Sequence, residues 1–407
     1  MSRPARGSAL ILAAVAVTAV ACAEPREPRG DVLVWDSAGV TITENQIGDR
    51  TPPERLVLGE EPDLLIGLEE GEPELLFQWI ADAAPLNDTL LTVVEWVQRE
   101  VRIFRSDDGR FVTRFGRSGE GPGDFGAIAI ARAMNEEEIL LADAGLQRLT
   151  WWNWRTGDVR TAPLDETMDG RRSSPMGAFR GGTIVGITGS RGFGPGDAGT
   201  LIADTMRYYL FDPDGSARAH FHVLPGQLRW GLQVGGMVTF PFIPFSVSPS
   251  LATGEDLIYL ATGTEPRVEV FDGSGTKVRE IRWDPGERPR VDDSLLGRLL
   301  EHQVEVGGGN EEQIRALHRD APLPETAPVF QDLFVDADGR LWVEQYRLPW
   351  EAERRWHLFD QSDQWIGEVV TGQDFAPRHA SGAEVLGVLT DEMGVERLAR
   401  FPLRPVE

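Results

Sequence analysis

From residue 31 onward the chain is written in short runs of alternating apolar and polar residues, cut by turns rich in glycine and aspartate. EVRIFRSDDG, starting at Glu100, is typical: a charged residue leads, an apolar strand follows, an aromatic closes it and a polar turn ends the unit. Alternation of this kind, carried by β-branched and aromatic residues between Gly and Asp turns, predicts half-buried β-strands. The unit recurs as RLTWWNWRTG from Arg148, RYYLFDPDG from Arg207, RVEVFDGSG from Arg267, RWHLFDQSD from Arg355 and RLARFPLRP from Arg397. The successive spacings are 48, 59, 60, 88 and 42 residues. Each copy follows another β-rich run: LLTVVE, EILLAD, GGTIVGIT, EDLIYLAT, GRLWVEQ and AEVLGVLT.

Self-similarity at this period points to a repeat architecture in which each unit is one small sheet. Six units of roughly four strands predict an all-β, six-bladed β-propeller. The sixth copy stops before its outermost strand. AGVTITEN, residues 38–45, is expected to supply that strand and close the ring, which removes exposed sheet edges. The widest spacing holds a helical pattern at 285–328, between blades four and five. DDSLLGRLLEHQVEV carries Asp292 and Asp293 as caps and Leu295, Leu296, Leu299, Leu300 and Val304 along one side, and NEEQIRALHRD begins a second short helix at Asn310. The insertion reads either as a lid over the channel mouth or as a clamp along one flank.

In a four-stranded antiparallel blade, the loops between strands two and three share an end with the loops between blades. Residues 45–76, 116–125, 187–200, 225–241, 285–328 and 345–354 are the long connections, and all fall on that end by parity. The other end receives the tight turns DDG, TGD, PDG and GSG. Long loops on a rigid scaffold commonly carry binding. Arg117 and Arg191, in matching glycine-rich loops, are therefore candidates to hold an anionic group. Trp230 and Trp350 are candidates to stack on a ligand.

One of these loops, GRSGEGPGDF at 116–125, has the glycine content of a phosphate loop. It lacks the helix start and the Gly-Lys-Ser/Thr ending that such a loop requires. It reads instead as the joint between blades one and two. Together with ILLADAGLQRLTWW at 139–152 it resembles an NHL repeat, with Phe125, Asp143 and Arg148 at the positions that in that family tie the strands of a blade together. The opening DSAGVTITEN (36–45), the GEGPGDF joint and LPETAPVF leading to VDADGRLWV (323–343) resemble a group of bacterial six-bladed propeller lipoproteins. That resemblance covers nearly the whole mature chain and implies a fold, but no activity. The other blades depart from the repeat: Thr262 stands at the Asp position before Arg267, and Glu100 replaces the Arg.

The N-terminus changes the picture of where the protein works. Arg3 and Arg6 precede an apolar run from Ala9 to Ala21, shorter than the roughly 20 residues a membrane span needs. The layout is that of an export signal. AVAC at 19–22 resembles a lipobox, with Ala19 where Leu is usual, and Cys22, the only cysteine, would carry the lipid. The other reading is an ordinary signal peptide with an incidental cysteine. The expected organisation is a signal peptide at 1–21, a polar tether at 22–30 and a propeller at 31–407, exported and anchored by lipid in the cell envelope, on the periplasmic or outer-membrane face.

Composition adds limits. With 407 residues, 41% of them hydrophobic, the chain has ample material for a core. A formal charge of −25 disfavours nucleic acid and anionic membrane surfaces as partners. Contact with a membrane is expected through the lipid anchor only. No G-x-S-x-G or H-E-x-x-H motif is present, and six histidines limit histidine-based chemistry. His220 and His222, two apart in a strand, have a spacing that can bind zinc. The chain shows no evident cofactor; acidic residues at the channel mouth could bind calcium. The expectation is a binding module for a small ligand, glycan or envelope protein on the long-loop face. The alternative is a metal-assisted, lactonase-like hydrolase or lyase at the channel mouth.

Overall fold

The alternating runs fold as antiparallel strands in a computed structural model that describes residues 31–189, 194–234, 236–307, 310–318 and 320–406. Four short strands come first: β1 (Val32–Ser37), β2 (Val40–Asn45), β3 (Arg55–Leu58) and β4 (Leu64–Ile66). The first sheet contains β5 (Ile80–Asn87), β6 (Leu90–Glu95), β7 (Glu100–Arg105) and β8 (Phe111–Gly116). The second contains β9 (Ile128–Ala133), β10 (Glu138–Asp143), β11 (Arg148–Asn153) and β12 (Val159–Pro163). The third contains β13 (Ser174–Ala178), β14 (Ile184–Thr188), β15 (Leu201–Phe211) and β16 (Ala217–Trp230), and the hairpin β17 (Leu232–Val234) and β18 (Met237–Thr239) follows it. The fourth contains β19 (Ser250–Thr253), β20 (Leu257–Ala261), β21 (Arg267–Asp272) and β22 (Lys277–Trp283). Helices α1 (Asp293–Gly307) and α2 (Glu311–Leu317) lead to β23 (Phe330–Val335), β24 (Leu341–Gln345), β25 (Glu353–Phe359) and β26 (Trp365–Gly372) of the fifth sheet. The last sheet is built on β27 (Phe375–Ser381), β28 (Glu384–Thr390) and β29 (Glu396–Pro405). Within each sheet the hydrogen-bonded order follows the chain order.

The repeated sequence unit is the third strand of each sheet, and the run before it is the second. These strands are covered on both faces, which is why LLTVVE is buried at every position. The outer strand VRTAP of β12, by contrast, is nearly all exposed. Apolar side chains fill the gaps between neighbouring sheets. Val94, Val101 and Ile103 of the first sheet pack with Ile128, Ile139 and Trp152 of the second. Val185, Tyr208 and Leu210 of the third meet Ile258, Leu260 and Phe271 of the fourth. Leu386, Val388 and Leu398 of the last sheet pack against Ile80, Val93 and Phe104 of the first. The stack of sheets therefore returns on itself, and the architecture is a β-propeller.

Ring closure differs from the sequence expectation. AGVTITEN does not complete the last sheet. Its strand β2 lies parallel to β22 on the outer edge of the fourth sheet, in register Thr41↔Arg279, with β1 outside it. The buried Asn45 fixes it there: its amide donates to Asp363 O at 3.0 Å and its Oδ1 accepts from Trp365 N at 2.9 Å. The strand beside β29 is β4, paired Leu398↔Ile66. Between them, β3 runs parallel to β26 and antiparallel to β29, bridging the fifth and last sheets. The N-terminal segment thus seals the outer edges of three sheets. LLI is too short to advertise itself as a strand, whereas VTITEN alternates over its whole length.

Both helices lie within the expected insertion. Asp292 Oδ1 accepts from Leu295 N at 2.9 Å and Asn310 Oδ1 from Glu312 N at 2.8 Å, so each helix start has a side-chain cap. Leu299 and Leu300 are the buried residues of α1. Leu299 packs on Phe245 and Leu348, from the loop before β19 and the β24–β25 loop.

Candidate functional site

The glycine-rich joint is an internal anchor. Gly116 has a φ of 108°, and a Cβ there would sit 2.6 Å from Arg99 O, so no side chain fits. Arg117 Nε donates to Asp124 Oδ1 at 2.6 Å, and Gly121 N donates to Asp124 Oδ2 at 3.0 Å. The Arg117 bond is the main reason the Asp124 carboxyl sits below its ordinary range. Arg148 reaches the carbonyl of Asp124. Phe125 is fully buried, edge-on to Phe115. The carboxylate of Asp143 accepts from Gly126 N at 2.7 Å, Ala127 N at 2.9 Å, Gly145 N at 2.8 Å and Leu146 N at 2.9 Å. Several amides a phosphate would need are already held by the protein's own carboxylates. Glu95 makes the same clamp in the first sheet, accepting from Gln78 N at 3.2 Å and Trp79 N at 3.1 Å. The sequence search missed it because Glu stands where the pattern has Asp. The second GPGD tetrapeptide repeats the turn, with Gly194 N on Asp197 Oδ2 at 3.0 Å.

The remaining candidates scatter. Arg191 and Cys22 lie outside the described residues. Trp230 ends β16, half-buried, and its backbone N–H donates to Pro241 O at 3.0 Å. Trp350 is packed beneath α1, with the Arg298 guanidinium 4.2 Å from its ring centroid and His302 edge-on. His220 and His222 do not share a face as the spacing suggests. An extra residue, Phe221, lets them pair with the adjacent Tyr209 and Tyr208 of β15. His222 Nε2 meets Glu269 at 2.9 Å, while His220 packs edge-on against Tyr209.

The cavity that does draw residues together is the central channel, of about 520 Å³. It is walled by the first strand of every sheet: β5, β9, β13, β19, β23 and β27. Its lining continues to Arg180, Glu255, Asp338 and Gln361, which belong to the tight turns and not to the long loops. A second cavity of about 590 Å³ shares Pro85, Ala133 and Arg180 with it and also opens among tight turns. The expected loop-face site and the observed cavity therefore differ in position.

Local register faults shape the channel wall. Five of the inner strands carry an extra residue: Ala81 in β5, Ala129 in β9, Met176 in β13, Gln331 in β23 and Arg378 in β27. Bulges of this kind bend a strand and re-aim side chains, and they are common at barrel rims and beside active sites. Asp82 and Asp332 follow two of them, and each carboxylate accepts the next backbone N–H, from Ala83 at 2.9 Å and Leu333 at 2.8 Å. Enclosure by protein raises both carboxyls. Asp82 rises against the pull of Arg378 and Arg132. Asp332, exposed at its surface but flanked by protein, is pushed up to about 6 by loss of bulk solvent, with Glu344 adding repulsion. Burial, then the neighbouring Arg180, pushes the Arg132 guanidinium down. Burial also lowers His379.

The channel thus alternates acid and base, with Arg378 a charged neighbour of both aspartates. Among the described residues, no three His, Cys, Asp or Glu side chains converge as a metal cage. The channel lining sets the acidic Asp82, Glu255 and Asp338 among its arginines. It suits a polar small molecule held by guanidinium groups and carboxylates.

No family model and no curated protein matches the chain. Solved structures resemble it in shape. A member of the DUF4221 family from Bacteroides vulgatus aligns at 12% identity with a TM-score of 0.52, over 88% of this chain and 100% of that one. A gluconolactonase from Xanthomonas campestris aligns at 15% identity and a TM-score of 0.36, over 85% and 99%. The calcium-binding protein regucalcin from Agrobacterium tumefaciens aligns at 12% and 0.39, over 86% and 96%. The first likeness is one of fold alone, and the other two are too weak to carry an argument.

Proposed function

We propose that this chain is an exported, six-bladed propeller lipoprotein, anchored through Cys22, that binds a small molecule in its central channel. In this reading the sheets are blades one to six, the NHL-like joint links blades one and two, and the helical insertion between blades four and five is a clamp on the loop face. The observation that carries it is the channel itself: about 520 Å³, walled by β5, β9, β13, β19, β23 and β27, with bulges beside Asp82 and at Arg378 of its lining. That volume lies within the usual range for small-ligand sites, roughly 300–1,000 Å³. A glycan or partner protein on the long-loop face has less support, because Trp350 is engaged by α1 and Arg117 by Asp124. A metal-assisted, lactonase-like hydrolase would need a donor set that does not converge among the described residues.

The test is thermal unfolding of the full chain against a panel of neutral sugars, organic acids and phosphorylated metabolites, each with calcium and with a chelator. A ligand at 100 times its Kd adds about 2.7 kcal/mol. Stabilisation that survives the chelator and is abolished by Ala129→Trp, which plugs the channel wall, is the expected result. Stabilisation by calcium alone, followed by lactone or ester turnover, would replace binding with the enzyme reading. Ligands that act equally on Ala129→Trp would move the site out of the channel.

A further inference from the structure

We infer that the channel takes a small oxyanion carrying two or more negative charges, held between Arg378, Arg132 and Arg180. This rests on the channel being the binding site and adds the chemical class of its ligand.

Acidic residues outnumber basic ones 65 to 40, so carboxylate partners for arginine are plentiful in this protein. Several enclosed arginines elsewhere are matched. Arg102 Nε meets Glu100 at 2.7 Å, Arg279 meets Asp363 at 2.8 Å, Arg340 meets Asp336 at 2.6 Å and Arg354 meets Glu344 at 3.1 Å. Arg148 and Arg347 also have a buried Nε without a hydrogen-bond partner, but the channel is where three arginines come together. Arg132 and Arg180 line it and make no hydrogen bond or ion pair among the described residues. Arg378 gives one N–H to its neighbour's carbonyl, Pro377 O, at 3.3 Å, and its Nε is buried without a partner. A buried donor left without an acceptor is costly and calls for a reason.

Position supplies the reason. Arg378 is itself the extra residue of β27, so the bulge determines its aim. Arg132 sits near the end of β9, and Arg180 lies past the end of β13 at the tight-turn mouth, where both cavities meet. Arg132 is close enough to feel Arg180, Asp82 feels both Arg132 and Arg378, and Arg180 is exposed at the opening. Asp82 and Asp332 are close enough to Arg378 to act on it electrostatically, yet neither hydrogen-bonds to any of the three among the described residues. The forked N–H donors remain available. Guanidinium forks match the paired oxygens of carboxylate and phosphate groups. The two aspartates would then orient an oxyanion that also carries a hydroxyl or ammonium group.

The experiment is calorimetric titration of the full chain with inorganic phosphate, sulfate, succinate and citrate at matched ionic strength, with chloride as the control. Saturable one-to-one binding is expected for at least one probe. It should weaken at least tenfold in Arg132→Gln and in Arg378→Gln, be partly restored in Arg132→Lys, and stay unchanged in Arg117→Gln, whose arginine lies in the blade joint. The melting temperature of the ligand-free variants separates the roles: an arginine kept for a ligand can be neutralised without lowering it, whereas a structural one cannot. No saturable binding of any of the four probes, or binding untouched by both glutamine variants, overturns the inference. A neutral sugar that binds wild type and is blocked by Ala129→Trp but not by Arg132→Gln also overturns it, while leaving the channel as the binding site.

Discussion

The blade joint and the central channel use the same charged residues in opposite ways. At the joint, Asp143 accepts four backbone N–H groups, and Asp124 is held by Arg117 and Gly121. Charges there close loops. At the channel, Asp82 holds one adjacent amide, Arg132 and Arg180 make no hydrogen bond or ion pair among the described residues, and Arg378 Nε is buried without a partner. Satisfied polar networks rigidify a fold; partly satisfied ones mark places where stability has been given up for another task. The lesson is that the glycine-rich motif that looks most like a ligand loop is closed by the protein's own carboxylates.

Breaking the joint should cost the most. Asp143→Ala leaves four enclosed N–H groups without their charged acceptor, and a loss of about 3–5 kcal/mol is expected by analogy with one-sided removal of a buried charge. Urea unfolding measures it, and a loss below about 1 kcal/mol would mean that the joint is not an anchor. A middle-sized effect tests the loop face. Trp350→Ala should cost about 2 kcal/mol by exposing the seat of α1, less than full truncation of a core Trp because the ring is only half buried. It should leave channel ligand affinity unchanged, and a large loss of affinity would return the site to the loops.

The smallest effect sharpens the channel side. Asp332 has its carboxyl raised to about 6 in the folded state against an ordinary value near 3.8. Below about pH 4 it is protonated in both states and its contribution is at its most favourable. As pH rises through about 6, the unfolded chain gives up the proton first, so stability is lost across that window. Asp332→Asn should therefore stabilise the protein at pH 7 and have little effect at pH 4. The buried His357, lowered to about 4, acts in the opposite sense: its contribution is present above about 6.5 and lost as pH falls. Only the difference between Asp332→Asn and wild type isolates the aspartate. Equal stability differences at pH 4 and pH 7 would show that Asp332 does not titrate as its enclosure requires.

Much of the fold was legible in the chain because strand burial is a local property. The second and third strands of each sheet are covered on both faces, so EILLAD and RLTWWN read as strands from composition alone, and turns such as PDG and GSG separate them. Asp143 and Arg148 could be placed as blade ties because their partners lie within the same repeat. The helical insertion showed its caps and its leucine stripe. Other features depend on which distant segment arrives at an edge. VTITEN alternates well enough to be a strand, but nothing in it says that Asn45 will meet Asp363 and Trp365 at the fourth and fifth sheets, leaving the outer edge of the last sheet to the short runs RLVL and LLI. His220 and His222 shared a face by spacing and lost it to one bulged phenylalanine. The candidate site was hidden for the same reason. Loop length is visible in a sequence, so attention went to the loop end. The channel is made by inner strands far apart in the chain, and their bulges are register faults that appear only once each strand has found its partner. Local alternation and turn chemistry determined the sheets. The meeting of Asp82, Arg132, Arg180 and Arg378 was decided only by closing the ring, because a shared cavity is a property of the assembled strands and of no single one.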